Sequence, residues 1–203
     1  MNMPLMVDLA GQRIVIVGGG QVAARRASNF IDYCQDIHII SPQVHSSLKD
    51  LINAGQITWH QKEFDAADIA GAFLVVAATN NKAVNQQVKA LVPPGCLFNN
   101  AEDATSGNVT IPNILKRGKL TLSVATQGAS PKLGIQIIEQ LSHTYDERYE
   151  QYVEFLYQCR QTLKRINIEP SYRQALLAKI VSDDYLDLDK QQAFLRWLQA
   201  QAE

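Results

Sequence analysis

Apolar positions in the first half of the chain fall into short runs separated by amphipathic stretches. Residues 14–17 (Ile-Val-Ile-Val) and 73–78 (Phe-Leu-Val-Val-Ala-Ala) are apolar throughout, and 37–40 is interrupted only by His38. Runs of this kind predict strands covered on both faces. Between them, residues 21–33 predict a helix whose small Ala23, Ala24 and Ala27 suit close packing on a sheet. Residues 46–54 predict a short helix stopped by Gly55, and 57–60 a third strand. A further helix starts at Asn80 or Asn81 as cap and ends at Pro93-Pro94-Gly95, before a fifth strand over 97–99. Strands alternating with helices at this spacing predict a doubly wound parallel α/β sheet.

Past Asn100 the pattern changes. Residues 108–112 and 119–125 predict two strands joined through Arg117 and Gly118, with Thr121 and Ser123 alternating with Leu120, Leu122 and Val124. Ser130 as N-cap and Pro131 at the first helical position then open a helix. From about residue 149 the patterning is helical, broken at 169–171 and 182–184.

The first strand runs straight into Gly18-x-Gly20-x-x-Ala23, followed at once by a helix. Gly18 permits a tight turn, Gly20 lets backbone approach a pyrophosphate, and Ala23 lets helix and strand pack closely. The helix N-terminus offers free N–H groups and positive potential to phosphates. Gly18, Gly19, Gly20, Gln21 and Val22 therefore form the expected phosphate turn, and Thr79 and Asn80, ending the fourth strand, flank the path beyond it. The second strand ends at Ser41-Pro42, where no Asp or Glu is present to grip ribose hydroxyls. Ser41 by itself leaves NAD and NADP both open. The predicted plan is a Rossmann-type nucleotide-binding domain over 1–106, a small α/β segment over 107–146, and a helical domain over 147–203.

Composition narrows the picture. Of 203 residues, 46% are hydrophobic and 19% charged, with a formal net charge of −1. That is an ordinary globular balance, with no electrostatic footprint for nucleic acid or a membrane surface. Cys34, Cys96 and Cys159 lack any Cys-x-x-Cys spacing and read as reduced thiols. With no signal peptide before the first strand, a cytoplasmic protein is expected. His38, His45, His60 and His143 are scattered and make no spaced ligand set, so no metal site is predicted. Tyr145, Tyr149 and Tyr152 lie at helical spacing, a stripe that reads first as core.

Four motifs occur in order: Val-Gly-Gly-Gly-Gln-Val-Ala-Ala-Arg-Arg-Ala at 17–27, Val-Ala-Ala-Thr-Asn at 76–80, Asn-Asn-Ala-Glu-Asp at 99–103 and Ala-Ser-Pro-Lys at 129–132. Together they resemble the precorrin-2 dehydrogenase / siroheme synthase family over about residues 5–145. The resemblance implies the stand-alone form, lacking a methyltransferase domain, that oxidises precorrin-2 to sirohydrochlorin with NAD⁺. Some relatives also insert Fe²⁺, so ferrochelatase activity with Fe²⁺ or Co²⁺ is an open second expectation. The resemblance also implies a homodimer built around the middle segment. It assigns Asp103 as the catalytic carboxylate; adjacent Glu102 is the alternative, and a turn cap is the plain reading of Asp103. Thr126 stands where several relatives have serine. Gly128, Ser130 and Lys132, at a helix N-terminus, together with Lys116 and Arg117, are expected to meet the substrate's carboxylates. The rival from another class is an NAD-binding regulatory module without catalysis.

Overall fold

Ile14, Val15 and Ile16 expose no surface, because the strand that holds them has neighbours on both edges and packed side chains on both faces. A computed structural model describes residues 2–103 and 105–201. The chain divides into two compact units, one ending at Ile111 and the other starting at Pro112.

In the first unit, β1 (Arg13–Val17), β2 (Asp36–Ile40), β3 (Thr58–His60), β4 (Leu74–Ala77) and β5 (Leu97–Asn100) form one parallel sheet in the order β3-β2-β1-β4-β5. The connections carry α1 (Gln21–Phe30), α2 (Ser46–Asn53) and α3 (Lys82–Leu91). Strand alternation sorts β1 between two cores. Ile14 and Ile16 pack with Ala23, Ala27 and Leu48 of α1 and α2, whereas Val15 and Val17 pack with Ile69 and with Val88 of α3. Small residues on α1 bring that helix close to the sheet, as the sequence predicts.

Residues 108–112 are not a strand. Pro112 has no N–H to give a ladder, and the preceding residues are spent on the edge of β5. Asn108 accepts from the Phe98 N–H at 2.6 Å and donates to the Cys96 carbonyl at 3.0 Å, while the Val109 N–H reaches the Phe98 carbonyl at 3.2 Å. This covers an edge that would otherwise present open pairing groups.

In the second unit the hairpin accordingly starts five residues later than its composition suggests. Here β6 (Asn113–Arg117) pairs antiparallel with β7 (Leu120–Val124). Then follow α4 (Pro131–Thr144), α5 (Arg148–Arg165), α6 (Pro170–Lys179) and α7 (Leu188–Ala200). Tyr152, Phe155, Cys159 and Leu163 line one face of α5 and pack against Leu176, Ile180, Phe194 and Leu198. The buried Tyr152 hydroxyl donates to the Ile180 carbonyl at 2.9 Å. Tyr145, Tyr149 and Tyr152 meet edge to face, so the stripe runs into this core.

Candidate active site

The strand order reverses direction between β1 and β4, and in open α/β sheets ligands bind at the carboxyl ends of strands beside such a switch. A pocket of 620 Å³ lies there, lined by Gly18, Gly19 and Gly20, by the segment from Ser41 to His45, by Glu63 and Phe64, and by Thr79 and Asn80. Gly18 has φ 124°, and a Cβ on it would stand 2.3 Å from the Ala78 carbonyl oxygen. Glycine here is a requirement of the β1–β4 crossing itself. Gly19 is closed in by the loop after β2, where its carbonyl accepts from the His45 N–H at 2.7 Å.

Gly20 is different. A Cβ built on it meets nothing within 4 Å, and the residue lines the pocket with no side chain capping the helix behind it. The protein has no steric need for glycine at this position, and the bare backbone, open pocket and uncapped N–H groups of α1 fit a pyrophosphate. Gln21 and Val22 are exposed on that first turn; Val22 lines a second pocket and Gln21 lines neither. The Ser41 hydroxyl donates to the Gln43 carbonyl at 2.7 Å, so its proton is already committed.

The second pocket, 360 Å³, is lined by Val22, Ala78, Thr79, Asn80, Ala101 and Glu102. Beneath it sits Asn85 of α3, a residue that sequence reading passed over. It is 1% exposed; its Oδ1 accepts from the Thr79 N–H at 3.3 Å and lies 2.8 Å from Thr79 Oγ1. Its Nδ2 donates to the Thr79 carbonyl at 3.0 Å and to Glu102 Oε2 at 3.3 Å. The other carboxylate oxygen of Glu102 lies 3.4 Å from Lys82 Nζ. One buried amide thus ties the end of β4 to the carboxylate after β5.

Asp103 is placed differently from its neighbour. Its Oδ1 accepts from both the backbone N–H and the hydroxyl of Thr105, at 2.9 and 2.6 Å, and the residue is absent from both pocket walls. The Thr105 hydroxyl, then its N–H, holds the Asp103 carboxyl below the usual carboxylate range. The turn-cap geometry is therefore present, and the carboxylate facing the pocket is Glu102.

The remaining site candidates belong to the second unit. Thr126 lies 3.1 Å from the Ser130 carbonyl and accepts from the Ser130 N–H at 3.3 Å, closing the loop that contains Gly128 at φ 83°. The Ser130 hydroxyl caps α4 by accepting from the Leu133 N–H at 3.2 Å, with Pro131 following as predicted. Lys132 and Lys116 are exposed, and Arg117 is half-buried with Nη1 on the Lys116 carbonyl.

His60 is the last residue of β3, at the border of the loop that follows. Its Nε2 lies 2.9 Å from His38 Nδ1, and the other nitrogen of His38 is 2.8 Å from Asp36. Register placed this pair together, since His38 stands on β2 beside Thr58 and Ile40 beside His60. Among the described residues no three His, Cys, Asp or Glu side chains are grouped to hold a metal ion, and no helix is long and apolar enough to cross a membrane.

A parallel sheet of this order, with a bare glycine turn on a pocket at its carboxyl edge, defines a Rossmann-type dinucleotide-binding protein. Residues 5–113 match the family described as "Putative NAD(P)-binding", and residues 149–194 match the SirC C-terminal domain. The precorrin-2 dehydrogenase of Priestia megaterium is 38% identical over 196 residues, covering 96% of this chain and 97% of its own. That of Bacillus subtilis (strain 168) is 37% identical over 159 residues, 78% of this chain and 98% of its own. A solved structure described as SirC, precorrin-2 dehydrogenase, superposes with a TM-score of 0.85 at 36% identity, covering 98% of this chain and 100% of that one. The chain belongs to the precorrin-2 dehydrogenase family.

Proposed function

We propose that this chain oxidises precorrin-2 to sirohydrochlorin in siroheme biosynthesis, with NAD⁺ as acceptor and a carboxylate of the loop after β5 taking the proton. The oxidation removes two hydrogens from the macrocycle, one as hydride and one as a proton. When bound, the nicotinamide supplies the hydride acceptor. The rest falls to the chain. Gly18, Gly19, Gly20 and the first turn of α1 hold the pyrophosphate, Ser41 and its loop receive the adenosine half, and Thr79 and Asn80 border the nicotinamide half.

The observation that carries the reading is the open backbone at Gly20 on a pocket whose neighbour is walled by Glu102. A proton acceptor must lie within hydrogen-bond reach of the atom it serves. Glu102, held by Asn85 and Lys82, is aimed for that role, while Asp103 supports the same loop through Thr105. Comparing Glu102→Gln with Asp103→Ala separates the two. If Glu102 is the acceptor, Glu102→Gln loses about 10²-fold or more in kcat with NAD⁺ affinity retained, and Asp103→Ala keeps most of its rate. The reverse ranking assigns the proton to Asp103.

Eight carboxylates on precorrin-2 call for cations and helix N-termini, and Lys132, Lys116, Arg117, Gly128, Ser130 and Thr126 are the proposed contacts in the second unit. The same unit leaves Ile114 at 37%, Leu133 at 48% and Ile135 at 54% exposure around β6 and α4. Apolar exposure of this kind supports a homodimer formed through that segment, tested by sedimentation equilibrium. Insertion of Fe²⁺ or Co²⁺ into the product is the second activity to assay, by adding metal once oxidation is complete. Tight NAD⁺ binding without turnover would instead favour a regulatory module.

A further inference from the structure

In dinucleotide folds an acid at the end of β2 holds the ribose hydroxyls of NAD, and an arginine there accommodates the 2′-phosphate of NADP. This chain has neither, since Ser41 stands at that point and its hydroxyl proton is committed to Gln43. The charge that could replace them comes from the next strand. Among the described residues lining the 620 Å³ pocket there is no lysine or arginine, and Glu63 is the one carboxylate. Glu63 follows β3 on a loop whose next residue, Phe64, packs with Val84 against the core containing Val17 and Ile40.

The same loop carries Lys62, whose ammonium would favour a 2′-phosphate. It is held elsewhere, with Nζ 2.7 Å from Asp68 Oδ1, and the second oxygen of Asp68 is fixed by the Asp65 N–H at 2.8 Å. His45, also in the wall, turns its Nδ1 to the Ser47 N–H at 3.2 Å. Glu63 itself is exposed and makes no hydrogen bond or ion pair with another described residue. The loop thus presents an unengaged carboxylate to the pocket and withdraws its only ammonium.

We propose that Glu63 is the specificity-determining residue for the adenosine half of the pocket. It accepts a hydrogen bond from the unphosphorylated ribose of NAD and repels the 2′-phosphate of NADP. This rests on the reading that the pocket binds a dinucleotide. A phosphate monoester carries close to two negative charges at neutral pH. Against a carboxylate at about 6 Å in largely solvated surroundings, that repulsion corresponds to roughly a ten-fold preference, weakening as salt rises.

The test is calorimetric titration of the full chain with NAD⁺ and, separately, NADP⁺, for the wild type, Glu63→Gln and Glu63→Lys. The expected result is a wild-type preference for NAD⁺ of about ten-fold that falls several-fold in Glu63→Gln and inverts in Glu63→Lys. Raising salt should narrow the wild-type ratio and leave the Glu63→Gln ratio unmoved. Wild type that binds NAD⁺ with a ratio unchanged in both variants overturns the role of Glu63 and leaves the pocket assignment standing. Wild type that binds neither dinucleotide overturns both.

Discussion

Replacing Asn85 by Leu keeps the volume and removes the side-chain hydrogen bonds by which α3 ties Thr79, just past β4, to Glu102 in the loop after β5. The amide is 1% exposed, and water does not reach it. In the variant the Thr79 N–H loses its acceptor at 3.3 Å and the Thr79 carbonyl its donor at 3.0 Å, while Glu102 loses the amide that holds its Oε2. A buried backbone group left unpaired costs about 1–3 kcal/mol. Thr79 is half-buried, which favours the lower part of that range for each of its two groups. The Thr79 hydroxyl keeps the Asn81 carbonyl at 2.9 Å, so it adds nothing. The expected loss is about 3 kcal/mol, a drop of about 2 M in the urea midpoint for a slope of about 1.5 kcal/mol/M. Fluorescence of Trp59, in the first unit, reads this transition in a Trp197→Phe background. Catalysis should fall beyond the stability effect, because Glu102 is freed from one of its two anchors. A midpoint within about 0.3 M of wild type would refute the assignment of Asn85 as the tie between these segments.

Other outcomes follow from the same geometry. Gly20→Ala should unfold at the wild-type urea midpoint yet lose dinucleotide binding in calorimetry, because the added methyl meets only pocket space; Gly18→Ala should destabilise the first unit, its Cβ falling 2.3 Å from the Ala78 carbonyl. Burial pushes the Cys159 thiol up to about 12 from an ordinary 9.0, so folding favours its protonated form. The stability this contributes is complete below pH 9 and is lost toward pH 12, at about 1.4 kcal/mol per pH unit. Urea midpoints of the second unit should therefore fall less steeply above pH 9 in Cys159→Ala than in wild type. All three cysteines are free and buried, and a thiol reagent should label them only after unfolding.

The nucleotide-binding half was readable because the central strands β1 and β4 hold uninterrupted apolar runs, and because the turn after β1 needs glycine at Gly18 for a steric reason that leaves a mark in sequence. The second half was harder. Residues 108–112 have strand composition, but composition cannot tell a segment that pairs in a ladder from one that caps the edge of β5 through Asn108. Glu102 and Asp103 are adjacent carboxylates, and it is the resemblance, not their chemistry, that puts Asp103 first in a linear reading. Only the folded loop turns one toward a pocket and gives the other to Thr105. Asn85 looked like one of several asparagines around the start of α3, and its burial comes from tertiary packing. Glu63 and the His38–His60 pair depend on strand order and register, which bring β3 beside β2 at a distance of some twenty residues along the chain.

One anaerobic assay tests the proposed reaction most directly. Precorrin-2 is mixed with the wild-type chain and NAD⁺, and NADH absorbance is followed together with the visible spectrum of the macrocycle. One NADH formed per sirohydrochlorin, at a rate that collapses in Gly20→Ala and in Glu102→Gln, is the result predicted. A well-folded chain that binds NAD⁺ and leaves precorrin-2 unchanged would contradict it.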